Sequence, residues 1–132
     1  MVTFTSRELG FINAHEICRL ATCSKNEGPH VVPVTYASVD GTFYIATDYK
    51  TKKLQNIQQD NRVALVIDAY KPNRAILIHG KAAIIERGTE FRRLYTLFHR
   101  RFAWVRADPW KENEAPFLKI VALKKSSWGL GD

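Results

Sequence analysis

The sequence predicts a mainly β protein of the α+β class: six antiparallel strands closed into a small barrel, with about three helices packed outside. Three observations predict it. Runs rich in β-branched and aromatic residues recur along the chain, separated by short turn signals. Asp40-Gly41, between two such runs, is the strongest hairpin signal in the sequence. Six strands joined mostly by short turns must hide their edges, and closure does that. An open α+β sandwich is the alternative.

The elements follow in order. Thr5 and Glu8 form the T-x-x-E pattern of a capping box. Behind it Leu9, Phe11 and Ile12 mark a short amphipathic helix, about Ser6 to Glu16. Cys18–Cys23 reads as a strand, and Lys25–Pro29 as a loop by its turn residues. His30–Val39 is a strand, Thr42–Thr47 its hairpin partner, and Lys52–Gln59 a short helix. Arg62–Asp68, RVALVID, is apolar almost throughout, which predicts cover on both faces. After the turn at Lys71-Pro72-Asn73 comes a long strand, Arg74–Glu86, where Gly80 marks a bulge or a bend. Thr89–Arg101 is the clearest helix, with Phe91, Leu94, Tyr95, Phe98 and Phe102 as its core stripe. Residues 103–116, with Trp104, Pro109, Trp110 and Pro116, read as irregular. Phe117–Lys125 is the last strand and Ser126–Asp132 a tail.

At 132 residues the chain is expected to form one domain, 1–132. Apolar residues at 45% and charged residues at 25% fit a soluble globular protein. No apolar run reaches the ~18 residues of a membrane span. The start, MVTFTSRELGF, lacks the basic and apolar regions of a signal peptide. Cys18 and Cys23 match neither a C-x-x-C nor a zinc pattern; on a strand they face opposite sides. Free buried thiols in a reducing cytoplasm are expected. The four histidines show no ligand spacing, so no metal is expected.

The net charge of +7 fits an anionic partner or a solvated basic surface. Nucleic acid would need the arginines of the later helix, Arg92, Arg93, Arg100 and Arg101. A solvated helix face explains these better, and the helix dipole favours the last two where they stand. Nucleic acid is therefore not the expected partner.

Two oddities carry chemistry. Pro33 interrupts an otherwise good strand; without an N–H it marks an edge, a bulge, or backbone left free to meet a ligand. Thr47, Thr51, Lys52 and Lys53 cluster between a strand end and a helix start. Hydroxyls, ammonium groups and the free N–H groups of a helix N-terminus make an anion site. A phosphate monoester carries about −1.5 to −2 charges. One ammonium ~4 Å from a unit charge gains about 4 kcal/mol at an intermediate effective dielectric. The bland reading is a solvated lysine pair. The chain has no G-x-G-x-x-G, no Walker loop, no G-x-S-x-G elbow and no evident carboxylate pair. A binding site without catalytic apparatus of its own is what a cofactor-dependent protein presents.

An ordered set of motifs then becomes informative: R-L-A-T at Arg19–Thr22, G-P-H-V-V-P-V-x-Y at Gly28–Tyr36, the D-G hairpin, F-Y-I-A-T-D at Phe43–Asp48, T-K-K-x-x-N at Thr51–Asn56, R-V-A-L at Arg62–Leu65, and H-G-K-A at His79–Ala82. Together they resemble the pyridoxamine 5′-phosphate oxidase-like family of split β-barrel flavoproteins, closely over residues 10–86 and loosely beyond. The resemblance implies a six-stranded antiparallel split barrel of Greek-key character. It implies a homodimer with FMN at the subunit interface and a small-molecule substrate. Val31, Val32, Pro33, Val34, Thr35 and Tyr36 would line the flavin ring, joined by Ala46 and Thr47. Thr51, Lys52 and Lys53 would hold the phosphate, and Trp128 of the other subunit would cover the ring. Tyr36 stands where the oxidase has a lysine gripping substrate phosphate, and Ala75 where it has a glutamine. The substrate is therefore not expected to be pyridoxamine phosphate. A related branch binds a deazaflavin and tends to carry arginine near the position of Thr51, so FMN is the expected cofactor and deazaflavin the alternative. The function this implies is flavin-dependent hydride transfer; a non-catalytic flavin-binding or redox-sensing module remains open beside it.

Overall fold

A computed structural model describes residues 2–131. The chain runs α1 (Ser6–Asn13), β1 (Ile17–Ser24), β2 (Gly28–Thr35), β3 (Ala37–Val39), β4 (Thr42–Ala46), α2 (Lys52–Gln59), β5 (Arg62–Ala69), β6 (Arg74–Ile85), α3 (Gly88–Arg101), α4 (Ala103–Ala107) and β7 (Phe117–Trp128). All seven strands belong to one antiparallel sheet, ordered β2-β1-β5-β6-β7-β4-β3. One continuous sheet replaces the sandwich alternative.

The strand expected over His30–Val39 is two strands, which makes seven rather than six. The break falls at Tyr36. Its N–H bonds Glu16 O at 2.8 Å, and its ring turns into the core, where the hydroxyl donates to Ile12 O at 2.6 Å. Before it, β2 pairs with β1; after it, β3 pairs with β4. β2 and β3 are thus the two ends of the sheet, yet a single residue joins them. Since neighbouring Cα atoms are ~3.8 Å apart, the sheet must curl until its edges meet there. That curl is the expected split barrel. It puts Pro33 on an edge strand, where a missing N–H costs no ladder bond on the open side.

Alternate residues fill the interior: Leu20, Phe43, Ile45, Leu65, Ile67, Ile76, Ile78 and Ile120 are all buried with Tyr36. Phe91, Leu94, Phe98 and Phe102 of the expected stripe pack outside the barrel against Phe117 and Ala37, while Tyr95 is only partly buried. Asp40 and Gly41 both take positive φ, 51° and 80°, as a two-residue hairpin requires. The β6–β7 register slips between His79 and Gly80, so Leu123 has no partner. A side chain at Gly80 would place its Cβ 2.5 Å from Val121 O.

Some boundaries differ from expectation. β7 continues through Ser126–Trp128, because β6 offers partners as far as Ala75; Asp132, the end of the expected tail, lies outside the described residues. Ala103–Ala107 forms a short helix within the stretch read as irregular. Cys18 is buried, and burial pushes its thiol pKa up to about 12; Cys23 is exposed, since it lies on the sheet's outer face. β5 is buried on its inner side only: Val63, Leu65 and Ile67 are covered, while Ala64 and Val66 stay half-open.

The capping box forms, with Glu8 N–H donating to Thr5 Oγ1 at 3.1 Å and Thr5 N–H to Glu8 Oε1 at 2.9 Å. Glu8 also accepts from Lys125 Nζ and from Ser127 Oγ (2.9 Å), tying α1 to the last strand. Burial alone would raise the Glu8 pKa; the bonds from Lys125, the Thr5 N–H and Ser127 outweigh it and hold the pKa below the ordinary carboxylate value.

Two outcomes follow. Gly80→Ala is expected to cost about 2 kcal/mol by overpacking against backbone, read as a lower urea midpoint with an unchanged m-value. Glu8→Gln is expected to cost about 2 kcal/mol near neutrality, the worth of charge-assisted hydrogen bonds. A depressed folded pKa stabilises above the ordinary carboxylate pKa, and that contribution is lost as pH falls through the folded value. The urea midpoints of wild type and E8Q should therefore converge in acid.

Candidate functional site

The β3–β4 register pairs Ala37 with Tyr44. Continued back past Tyr36, it would set Thr35 against Ala46. Instead β2 peels away to pair with β1, and a V opens between the free edge of β2 and the end of β4. The chain leaves β4 beside this opening and enters α2. That helix is anchored at one end by the turn that follows β4, and it packs on β1, where Asn56 Nδ2 donates to the buried Thr22 Oγ1 at 3.0 Å. Lys52 pairs with Glu27 in the β1–β2 turn.

The start of α2 is left in an unusual condition. Thr51 is its N-cap, yet its hydroxyl does not cap the helix. That hydroxyl donates to Asp48 O at 2.9 Å and lies 3.0 Å from Thr47 Oγ1. Its one hydrogen is committed to Asp48, so Thr47 is the donor in the hydroxyl pair. No acidic residue occupies the first turn; Lys52 and Lys53 do. Positive side chains at a positive helix end repel it. Lys53 is half-buried and forms no ion pair among the described residues. Burial lowers its pKa, and the Asp48 carboxylate only partly opposes that. The uncapped start of α2 thus carries two adjacent hydroxyls and a half-buried ammonium whose neighbouring carboxylate, Asp48, only partly offsets its burial.

The other expected residues divide by strand alternation. Val31 is 63% exposed and Pro33 is exposed, both on the outer face beside Ala21 and Arg19; Thr35 shares that side. Val32 and Val34 alternate to the inner side, and Val34 packs on the core. The Tyr36 side chain is fully buried, so it lines no surface; burial raises its hydroxyl pKa. Ala46 closes β4, and the N–H of Thr47 bonds Pro116 O at 3.1 Å. Trp128 is on the outer face too, paired with Ala75, its indole N–H donating to Asn73 Oδ1 at 3.3 Å. It stands four strands from β2, or about 19 Å along the sheet. Within one chain, then, Thr47 and Thr51 meet between the end of β4 and the start of α2, Lys52 pairs with Glu27, Lys53 follows on α2, and Trp128 lies apart.

Sequence reasoning did not find a cavity of about 170 Å³ beside Ala46 and Thr47, which Asp48, Trp104, Asp108, Trp110 and Ala115 complete. Its only sequence signal was a pair of tryptophans in a stretch without periodicity. His30 Nδ1 and Trp110 Nε1 are buried without a partner among the described residues. On α3, Arg92 pairs with Glu112 at 2.9 Å, and Arg106 of α4 caps the helix end through His99 O at 2.7 Å. No helix among the described residues is long and apolar enough to cross a membrane.

A curled antiparallel sheet, split between β2 and β4 and flanked by helices, defines the class of small split β-barrels. The chain belongs to the pyridoxamine 5′-phosphate oxidase family, whose model matches residues 5–125. It is similar to a 5a,11a-dehydrotetracycline/5a,11a-dehydrooxytetracycline reductase of Streptomyces rimosus, 34% identical over 99 residues that span 68% of this chain and 70% of the relative. Among solved structures it resembles a FAD-binding protein of Mesorhizobium loti (TM-score 0.71, 20% identity, 90% of this chain and 87% of that one). It also resembles the haem storage protein HutZ of Vibrio cholerae (TM-score 0.78, 11% identity, 89% of each chain). At these identities the structures speak for the fold alone.

Inorganic phosphate is expected to raise the Tm of this protein by binding the folded state. In Lys53→Ala the rise should shrink severalfold, measured by thermal shift at fixed ionic strength with chloride as control.

Proposed function

We propose that the protein is an FMN-dependent oxidoreductase acting on a small molecule. The observation that carries this reading is Lys53: half-buried, its pKa lowered by that burial, without an ion pair among the described residues, and one step inside an uncapped helix end. A phosphate monoester answers each of these deficits at once. Family membership and a reductase relative support a redox role.

The residues fit the group. Thr47 and Thr51 would meet phosphate oxygens with their hydroxyls, and Lys52 and Lys53 with their charges. The exposed side of β2, Val31, Pro33 and Thr35, would face the ring; the inner positions Val32, Val34 and Tyr36 would support that strand from below. A flavin bound there supplies hydride transfer; the protein orients the ring and excludes water from it. The outer face continues from Val31 through Ala21, Ala64, Val66 and Leu77, with Ile17 51% and Leu123 57% exposed. Such a face suits a second copy of the chain. In that homodimer the ring would be closed over by Trp128 of the other copy.

A second reading keeps the fold and changes the cofactor. Lys50 joins Lys52 and Lys53 around Thr51, more positive charge than one phosphate needs, and a deazaflavin with a longer anionic tail would use it.

Absorption of the purified protein, then mass spectrometry of the molecule released on denaturation, tests both. FMN is expected. A deazaflavin selects the second reading; a Soret band, or a colourless protein that takes up neither cofactor, overturns the proposal. Lys53→Ala is expected to weaken cofactor binding by roughly 10- to 100-fold, the worth of one charge-assisted contact, measured by equilibrium dialysis.

A further inference from the structure

The cavity beside Ala46 and Thr47 differs in chemistry from the proposed phosphate site next to it. Its lining includes the indoles of Trp104 and Trp110, which stack on one another, parallel within 7° and 6.3 Å between centroids. Trp110 is fixed by Tyr95, edge-on at 5.0 Å, and by Phe117 at 5.8 Å. Trp104 leans on Phe102 at 5.8 Å and stays 44% exposed, although it sits on a helix whose neighbour Val105 is fully buried. Asp48 and Asp108 complete the lining. Both are exposed, and neither forms an ion pair among the described residues, in a chain of net charge +7. Asp48 also acts on Lys53, so it stands between the cavity and the proposed phosphate site.

These features set three requirements for an occupant. A flat aromatic lining favours a planar ring. The negative faces of two indoles, reinforced by two carboxylates, favour positive charge and repel anions. At about 170 Å³ the cavity admits one ring, since cavities of about 150 Å³ accept benzene. The geometry points to this cavity as the substrate subsite: it seats one ring of a planar aromatic that carries a cationic group, such as an amine or a ring nitrogen. Trp104 and Asp108 determine that specificity. The assignment rests on the proposed function, because Ala46 and Thr47 are shared between cavity and cofactor.

Two bicyclic probes of matched size test it: 1-methylquinolinium and 2-naphthoate, titrated calorimetrically into the protein as purified and again after cofactor removal. The cation is expected to bind about tenfold more tightly than the anion, the scale of a cation–π contact with nearby charge. Trp104→Ala should weaken both probes. Asp108→Asn should weaken the cation alone, by severalfold. Cofactor content should be unchanged in both variants, and circular dichroism should report an unchanged fold. Equal affinity for the two probes, no binding of either, or indifference to both substitutions overturns the assignment. A protein that never carries a flavin yet binds the cation through Trp104 and Asp108 removes the cofactor reading and leaves the cavity's selectivity standing. A flavin-loaded protein indifferent to the probes does the reverse.

Discussion

Everything in this molecule depends on one covalent constraint: β2 and β3 stand at opposite ends of a seven-stranded sheet and are joined through Tyr36 alone. A peptide unit cannot stretch, so the sheet curls until its ends meet. The curl creates the barrel interior, and Tyr36 fills part of it with its own ring, bonded to Ile12 O and packed 5.8 Å from Phe43. It also creates the split. Beyond Tyr36 the two arms diverge, one toward β1 and one along β4, and no strand closes the gap between them. The chain leaves β4 beside it and turns into α2, which packs on β1. The position of the candidate site is thus a consequence of where the sheet is joined, and the residues that fill it came second.

The start of α2 shows what the chain gives up at that position. Helices commonly place an acid or a capping hydroxyl at this end. Here the hydroxyl is turned to Asp48 O and the acids are replaced by two lysines. Each choice destabilises the isolated helix, by about 1 kcal/mol for a lost cap. The protein tolerates this because Leu54 and Ile57 bury the other side of α2 in the core and Asn56 bonds Thr22. α1 is the control within the same chain. Its capping box is complete, its first turn carries Glu8, and that acid serves packing. Two helices of equal length, one capped and one not, separate a structural helix start from one kept open.

Much of this was legible in the sequence wherever a local rule dictates local geometry. Asp40-Gly41 had to turn because both residues adopt positive φ. Gly80 had to bend because no side chain fits against Val121 O. Thr5 and Glu8 had to cap because the spacing places each against the other's backbone. The rest depended on partners distant in sequence. Tyr36 reads as a strand residue by propensity, and only the exchange of β1 for β4 as neighbour breaks the strand there. Ser126–Trp128 reads as a tail by composition, and only the unfilled length of β6 makes it strand. For the site the same division holds. Thr51, Lys52 and Lys53 are adjacent in sequence, so their grouping at a helix start is legible there. Alternation turned Val32, Val34 and Tyr36 away from the surface, as any continuous run assigned to one face must suffer. Trp104 and Trp110 meet across five intervening residues that run out of α4 into irregular chain, and they carry no period to find.

The same logic bears on β5. RVALVID is apolar on both sides of the strand, and a chain that needed only its barrel core would have no use for the outer set. Ala64 and Val66 are small enough to pack closely against another sheet and too apolar to gain anything from water. In register with Ala64 lie Ala21 and Val31, and in register with Val66 lies Leu77, so the apolar positions reach over four strands in two staggered rows. Arg19 and Asp68, bonded to each other, are the charged pair among them. Paired charges can be buried together at far lower cost than single ones. A strand that is apolar on both sides is thus covered on one side only within the single chain, and its outer side keeps the composition of an interior.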